Sequence, residues 1–167
     1  CAILDDGSLK CWGANSQGQL GIGSPNQHNT PQTVNLGTGR TVVSVSVAYY
    51  HTCAILDDSS LKCWGMNNYG QLGIGSNTQT STPQTVSFAT NQIPKYVSTD
   101  SSYATCVIFE DSRAMCMGRL GYWFTGGVSY SNLKTPGYLS RNIEVGTDEV
   151  SSSNYHTCAV TGNGLLQ

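Results

Sequence analysis

Seven cysteines dominate the chemistry this sequence could perform, and six of them come in pairs at one spacing. Cys1 and Cys11 frame "CAILDDGSLKC", Cys53 and Cys63 frame "CAILDDSSLKC", and Cys106 and Cys116 enclose a third segment of the same length, while Cys158 opens what reads as a fourth. Paired cysteines can ligate zinc, shuttle electrons or bridge. Zinc knuckles and redox pairs both favour the short C-x-x-C spacing, and one pair per segment supplies only two ligands. Bridging fits the local sequence better. "CAIL", "DDG" and "SLKCW" read as two strands around a three-residue turn whose last position tolerates positive φ. Pairing Leu4 with Ser8 sets Ile3 opposite Leu9, Ala2 opposite Lys10 and Cys1 opposite Cys11. A non-hydrogen-bonded antiparallel pair holds its Cα atoms about 4.5 Å apart, at the short end of disulfide reach. The predicted disulfides are therefore Cys1–Cys11, Cys53–Cys63 and Cys106–Cys116, each contributing about 2–3 kcal/mol on a chain-entropy argument. A bridge in every segment points to an oxidising compartment.

The remaining reactive residues read as architecture. His51 and His156 each stand beside Thr, two residues before a cysteine, so the sequence predicts imidazoles that satisfy backbone groups at one recurring position. Asp5 and Asp6, Asp57 and Asp58, and Glu110 and Asp111 could hold calcium or act as acid and base, but their place between paired strands favours turn formation. The runs Gly18, Gly21, Gly23 and Gly70, Gly73, Gly75 suggest a phosphate cradle only superficially: no lysine follows and no helix is predicted, which leaves tight inter-strand turns. Trp12 and Trp64 are expected in the core with their indole N–H groups paired. No Ser, His and Asp, or Cys and His, occupy non-repeating positions suited to a triad. An enzyme is not expected, and neither a cofactor nor a metal is called for.

The elements that must position these residues recur. First cysteines advance in steps of 52, 53 and 52 and second cysteines in steps of 52 and 53, with Pro31, Pro83 and Pro136 in the same phase. "CWGANSQGQLGIGS" at 11–24 returns as "CWGMNNYGQLGIGS" at 63–76, and "TPQTV" at 30–34 returns at 82–86. The expected organisation is a single repeat array over 1–167, with repeats 1–52, 53–105 and 106–157 and the start of a fourth at 158–167. Each period carries strand signals. "TVVSVSVA" at 41–48 alternates for several residues and is rich in β-branched side chains.

The long match between residues 51–75, "HTCAILDDSSLKCWGMNNYGQLGIG", and a pattern of His-Thr, small-apolar strand, acidic turn, Trp-Gly, Asn and Gly-Gln-Leu-Gly resembles the repeat of the regulator of chromosome condensation family. The cysteine-bearing form resembles secreted and surface-exposed members. The resemblance implies an all-β fold, a β-propeller with about three four-stranded blades in this sequence. It also implies a longer whole, since seven blades need about 360 residues and the chain begins at Cys1 rather than Met. The third period departs from the pattern: Met117 replaces Trp, Gly-Gln-Leu-Gly is missing, and "YATC" at 103–106 stands where "HTC" is expected. Its loop holds Tyr122, Trp123 and Phe124, three neighbouring aromatics between glycines, read as a contact for a protein partner or second subunit, as a sugar-stacking site, or as local packing.

Composition narrows the partners. Charged residues are 11% of the chain and the formal net charge is −2, so no basic footprint for nucleic acid exists. No apolar run is long enough to span a membrane as a helix. Serine and threonine must supply much of the polar surface, and "SNTQTSTPQT" at 76–85 offers acceptors for O-linked sugar, while no Asn-x-Ser/Thr sequon is present. The expected function is a non-enzymatic scaffold, extracellular or at the cell surface, that binds protein or itself, with an extracellular fibre as its most extended form. The resemblance also raises a guanine-nucleotide exchange factor acting on a small GTPase, and the aromatic loop raises a carbohydrate-binding module. Fold alone decides neither.

Overall fold

The hairpin that encloses each cysteine pair forms because its turn is chemically specified. A computed structural model describes residues 1–99, 103–120, 131–138, 149–152 and 157–160. At each hairpin tip the third turn residue is left-handed, Gly7 at φ 78°, Ser59 at 62° and Ser112 at 63°. The preceding aspartate fixes the turn: Asp6 accepts the Ser8 amide at 2.9 Å, Asp58 the Ser60 amide at 3.0 Å and Asp111 the Arg113 amide at 3.1 Å. The predicted register follows, with Ala2 opposite Lys10, Ile3 opposite Leu9, Cys53 opposite Cys63 and Cys106 opposite Cys116. Disulfides join Cys1 to Cys11, Cys53 to Cys63 and Cys106 to Cys116 across Cα separations of 4.0, 4.1 and 4.1 Å.

All the described elements are strands, paired antiparallel into four sheets. The first holds β1 (Ala2–Ile3), β2 (Leu9–Gly13) and β3 (His28–Thr33). The second runs β4 (Val42–Val47), β5 (His51–Leu56), β6 (Leu61–Gly65) and β7 (Thr80–Thr85), and the third β8 (Pro94–Thr99), β9 (Ala104–Phe109), β10 (Ala114–Leu120) and β11 (Ser131–Tyr138). β12 (Glu149–Ser152) pairs with β13 (Thr157–Val160). Each strand pairs with its sequence neighbour, so no crossover is needed. A sheet draws on two consecutive sequence periods, because the strand that ends one period, such as β4, pairs with the hairpin that opens the next.

The core lies between sheets. All six residues of β5 are buried, and they divide by parity. Cys53 and Ile55, with Leu61, Cys63, Leu72 and Val86, pack against Val97, Val107, Phe109, Met115 and Met117 of the third sheet. Ala54 and Leu56, with Val42 and Trp64, pack against Leu9 and Cys11 of the first and against Leu20, Val34 and Leu36 of the segments that flank its outer strand. A strand covered on both faces must be apolar at successive positions, which explains why "CAIL" does not alternate. First strands adjoin one another: the Ser46 hydroxyl lies 3.0 Å from the Thr99 hydroxyl and accepts the Thr99 amide at 3.0 Å. β3 and β7 are the polar outer edges.

Glycine decides how closely the sheets approach. Gly21 is left-handed at φ 72°, and a Cβ placed on it would lie 2.5 Å from Trp64 Nε1 in the next sheet. One repeat later Gly73, at φ 68°, receives Met117 in the same way. Left-handed strain and overpacking each cost about 1–3 kcal/mol. Gly21→Ala in the full-length protein is therefore expected to lower unfolding free energy by about 3 kcal/mol, read by chemical denaturation. A loss below about 0.5 kcal/mol, the usual effect of an unremarkable surface change, would show that the loop does not carry this contact.

Candidate functional site

The most elaborate polar arrangement sits between sheets, and it is built from the Gly-Gln-Leu-Gly loops. Asn15 folds its loop from within: its Nδ2 donates to the Ser24 and Asn26 carbonyls at 2.7 and 2.8 Å, and its Oδ1 accepts the Leu20 amide at 2.9 Å. Asn67 repeats all three bonds, to Ser76 and Thr78 at 2.9 and 3.1 Å and from Leu72 at 3.0 Å. The folded loop then presents a carbonyl to its neighbour. Gln19 O accepts the Thr52 hydroxyl and Trp64 Nε1–H, both at 2.9 Å, and Gln71 O accepts the Thr105 hydroxyl at 2.8 Å. On the outer side the Gly23 amide donates to Ser81 O and the Gly75 amide to Lys134 O, each at 2.8 Å. The glycine runs are thus inter-strand turns that lock one sheet to the next, not a phosphate cradle.

His51 joins this lock. Its Nε2 lies 2.9 Å from the Thr105 hydroxyl, and because that hydroxyl gives its proton to Gln71 O, the imidazole must donate from Nε2. Burial pushes His51 down to about 4, with a bond to the Ala104 backbone pulling weakly the other way. The ring is neutral and structural. The third repeat has Ala104 at the position of His51, and His156 lies outside the described residues. Trp64 is fully buried, but Trp12 is 43% exposed, against the expectation of a core residue. Its indole occupies the position that packs on the loop one repeat earlier, and that loop is not in this sequence.

The two ends of the sheets differ in character. The hairpin end carries Asp5, Asp6, Asp57, Asp58, Glu110 and Asp111. Arg40 bridges Asp57 and Asp58 at 3.6 and 3.0 Å, and Arg113 pairs with Asp111. Hydrogen bonding to Ser60 first, and to Arg40 after it, holds Asp58 below its ordinary range, and the Arg113 side chain does the same for Asp111. Among the described residues no group of three His, Cys, Asp or Glu could hold a metal.

The opposite end is aromatic. The Tyr69 and Tyr103 rings meet at 4.9 Å, tilted by 44°, and the Arg119 guanidinium lies 5.4 Å from the Tyr69 ring centre. Tyr49, 71% exposed, meets Tyr50 edge-on at 4.9 Å. Sequence reasoning passed over these residues because only Tyr50 and Tyr103 share a repeat position, three before a first cysteine, while Tyr69 and Arg119 have no counterpart in the other repeats. Arg119 directly precedes the aberrant loop of the third repeat. Tyr122, Trp123 and Phe124 themselves lie outside the described residues. Leu120 takes the place of Asn15 and Asn67, and a leucine can supply none of the three bonds that fold the other loops.

Tandem four-stranded antiparallel sheets, stacked face to face with first strands adjoining and polar fourth strands outermost, define the blades of a β-propeller. The chain belongs to the regulator of chromosome condensation (RCC1) repeat family, whose sequence profile matches residues 6–55 and 61–107. A second profile of the same repeat matches residues 42–71. The ultraviolet-B receptor UVR8 of Arabidopsis thaliana is 26% identical over 99% of this chain and 37% of its own length. Human WBSCR16 superposes with a TM-score of 0.80 at 22% identity, covering 98% of this chain and 43% of that one. Yeast Prp20, studied structurally together with its binding to Gsp1p and histones, gives 0.77 at 19% identity over 95% and 40%. The chain thus spans well under half the length of these relatives.

The buried imidazole sets a pH dependence. Between the ordinary histidine value of 6.5 and about 4 the unfolded chain binds a proton that folded His51 does not, so stability rises with pH across this window and is lost as pH falls through it. The loss approaches about 3 kcal/mol at the acid end. Unfolding free energy measured from pH 7 to 4 should show this slope, and His51→Gln should flatten it; an unchanged slope would place the imidazole elsewhere.

Proposed function

We propose that this chain is part of a non-enzymatic propeller that works by contact with protein, in an extracellular or cell-surface setting, through the end carrying Tyr49, Tyr69, Tyr103 and Arg119 together with Tyr122, Trp123 and Phe124, which follow Arg119 closely in sequence. The observation that carries the reading is the Tyr69–Tyr103–Arg119 cluster at the boundary of two blades, followed in sequence by the segment that departs from the repeat. Aromatic and arginine side chains are the types that dominate protein contacts. Prp20, similar in fold, is described with Kap60 bound, which supports protein as the partner class. Three bridged hairpins support the compartment. Assembly of propellers into a fibre is the extended form of the same reading, with the aromatic end as the subunit contact and O-linked sugar on the Ser/Thr-rich outer strands.

In full-length protein from its native source, thiol labelling under denaturing, non-reducing conditions should leave the six paired cysteines unlabelled, and free thiols among them would overturn the compartment. Trp123→Ala combined with Tyr69→Ala should weaken association at least about tenfold with little change in the thermal transition. Unaltered association would remove this surface from the proposal.

A further inference from the structure

An outermost strand normally offers a row of unpaired N–H and C=O groups to any extended chain that approaches. In the middle of β7, at residues 81–83, several of those groups are already used. Opposite Trp64 the pairing of β6 with β7 shifts register between Cys63–Gln84 and Gly65–Thr80, so residues 81–83 bulge outward. Ser81 O is taken by the Gly23 amide of the preceding blade at 2.8 Å. Thr82 O accepts the Thr80 hydroxyl at 2.9 Å and Gln84 Nε2 at 3.3 Å. The Thr82 amide donates to Thr80 Oγ1 at 3.2 Å. Pro83 has no N–H to offer.

We infer that these bonds are an edge guard: the outer rim of the second blade is closed to strand addition at its bulge, where Thr80 and Gln84 occupy backbone groups that a new strand would need and Pro83 lacks one. Part of the guard recurs in the first blade, where Gln32 Nε2 donates to Thr30 O at 3.1 Å beside Pro31. The third blade has lost it. Lys134 O still receives the Gly75 amide, but Leu133 stands where Thr80 would be and Gly137 where Gln84 would be. A leucine has no hydroxyl and a glycine no amide side chain, so Thr135, exposed on β11, has neither of the groups that cover Thr82. The inference stands apart from the proposed function, since it concerns the rim and not the aromatic end.

Amide hydrogen exchange in the full-length protein tests this without any substitution. The Thr82 amide should exchange at least about tenfold more slowly than that of Thr135; equal rates would overturn the guard. Thr80→Val with Gln84→Ala should raise Thr82 exchange to the Thr135 level and speed self-association, followed by light scattering, by about tenfold. Leu133→Thr with Gly137→Gln should slow exchange at Thr135. Unchanged self-association in the first variant would overturn the guarding role even if its exchange rose.

Discussion

One carbonyl per loop holds the array together. Gln19 O and Gln71 O lie outside any strand ladder, yet each is met by a threonine hydroxyl from the following blade, and Gln19 O by an indole as well. An unpaired buried carbonyl costs about 1–3 kcal/mol, so loop and neighbour must form together or not at all. Asn15 and Asn67 aim the carbonyl, Gly21 and Gly73 let the neighbour approach, and Trp64 or Met117 fills the space. Most of the repeated sequence serves this single contact.

This dependence explains the pattern of burial. β5 is apolar throughout because both its faces are covered by other blades, and its stability is therefore a property of three sheets and not of one. The disulfide fastens the hairpin that carries this load. Cys53 and Cys63 lie in the core between the second and third sheets, while Cys106 and Cys116 lie on the next face along. The bridge therefore fixes hairpin geometry within the buried core.

Much of this was legible in the sequence. Cysteine spacing and the Asp-Asp-Gly turn gave the hairpin register to the residue, because a three-residue turn permits few alternatives. The repeat gave the period, and the family resemblance the four strands per blade. Partners across blades were not legible: nothing local in "HTC" says that His51 will bond Thr105, 54 positions away, or that Trp64 will reach Gln19. Trp12 shows the same limit from the other side, since identical local sequence is buried or exposed according to which neighbour is there. The aromatic end was hidden because Tyr69, Tyr103 and Arg119 are scattered in repeat phase and meet only in three dimensions.

Met117 carries one more consequence. A thioether fills the volume left for an indole but donates no hydrogen bond, so the joint between the second and third blades keeps the packing of the first joint without its second proton donor. At the same joint the buried Gln71 Nε2 amide has no partner among the described residues. The joint draws instead on the bonds of His51 to Thr105 and of Ser46 to Thr99. Tension along the array would thus be carried at one joint by an indole and at the next by hydroxyls, so that two joints of one repeat are held by different side chains.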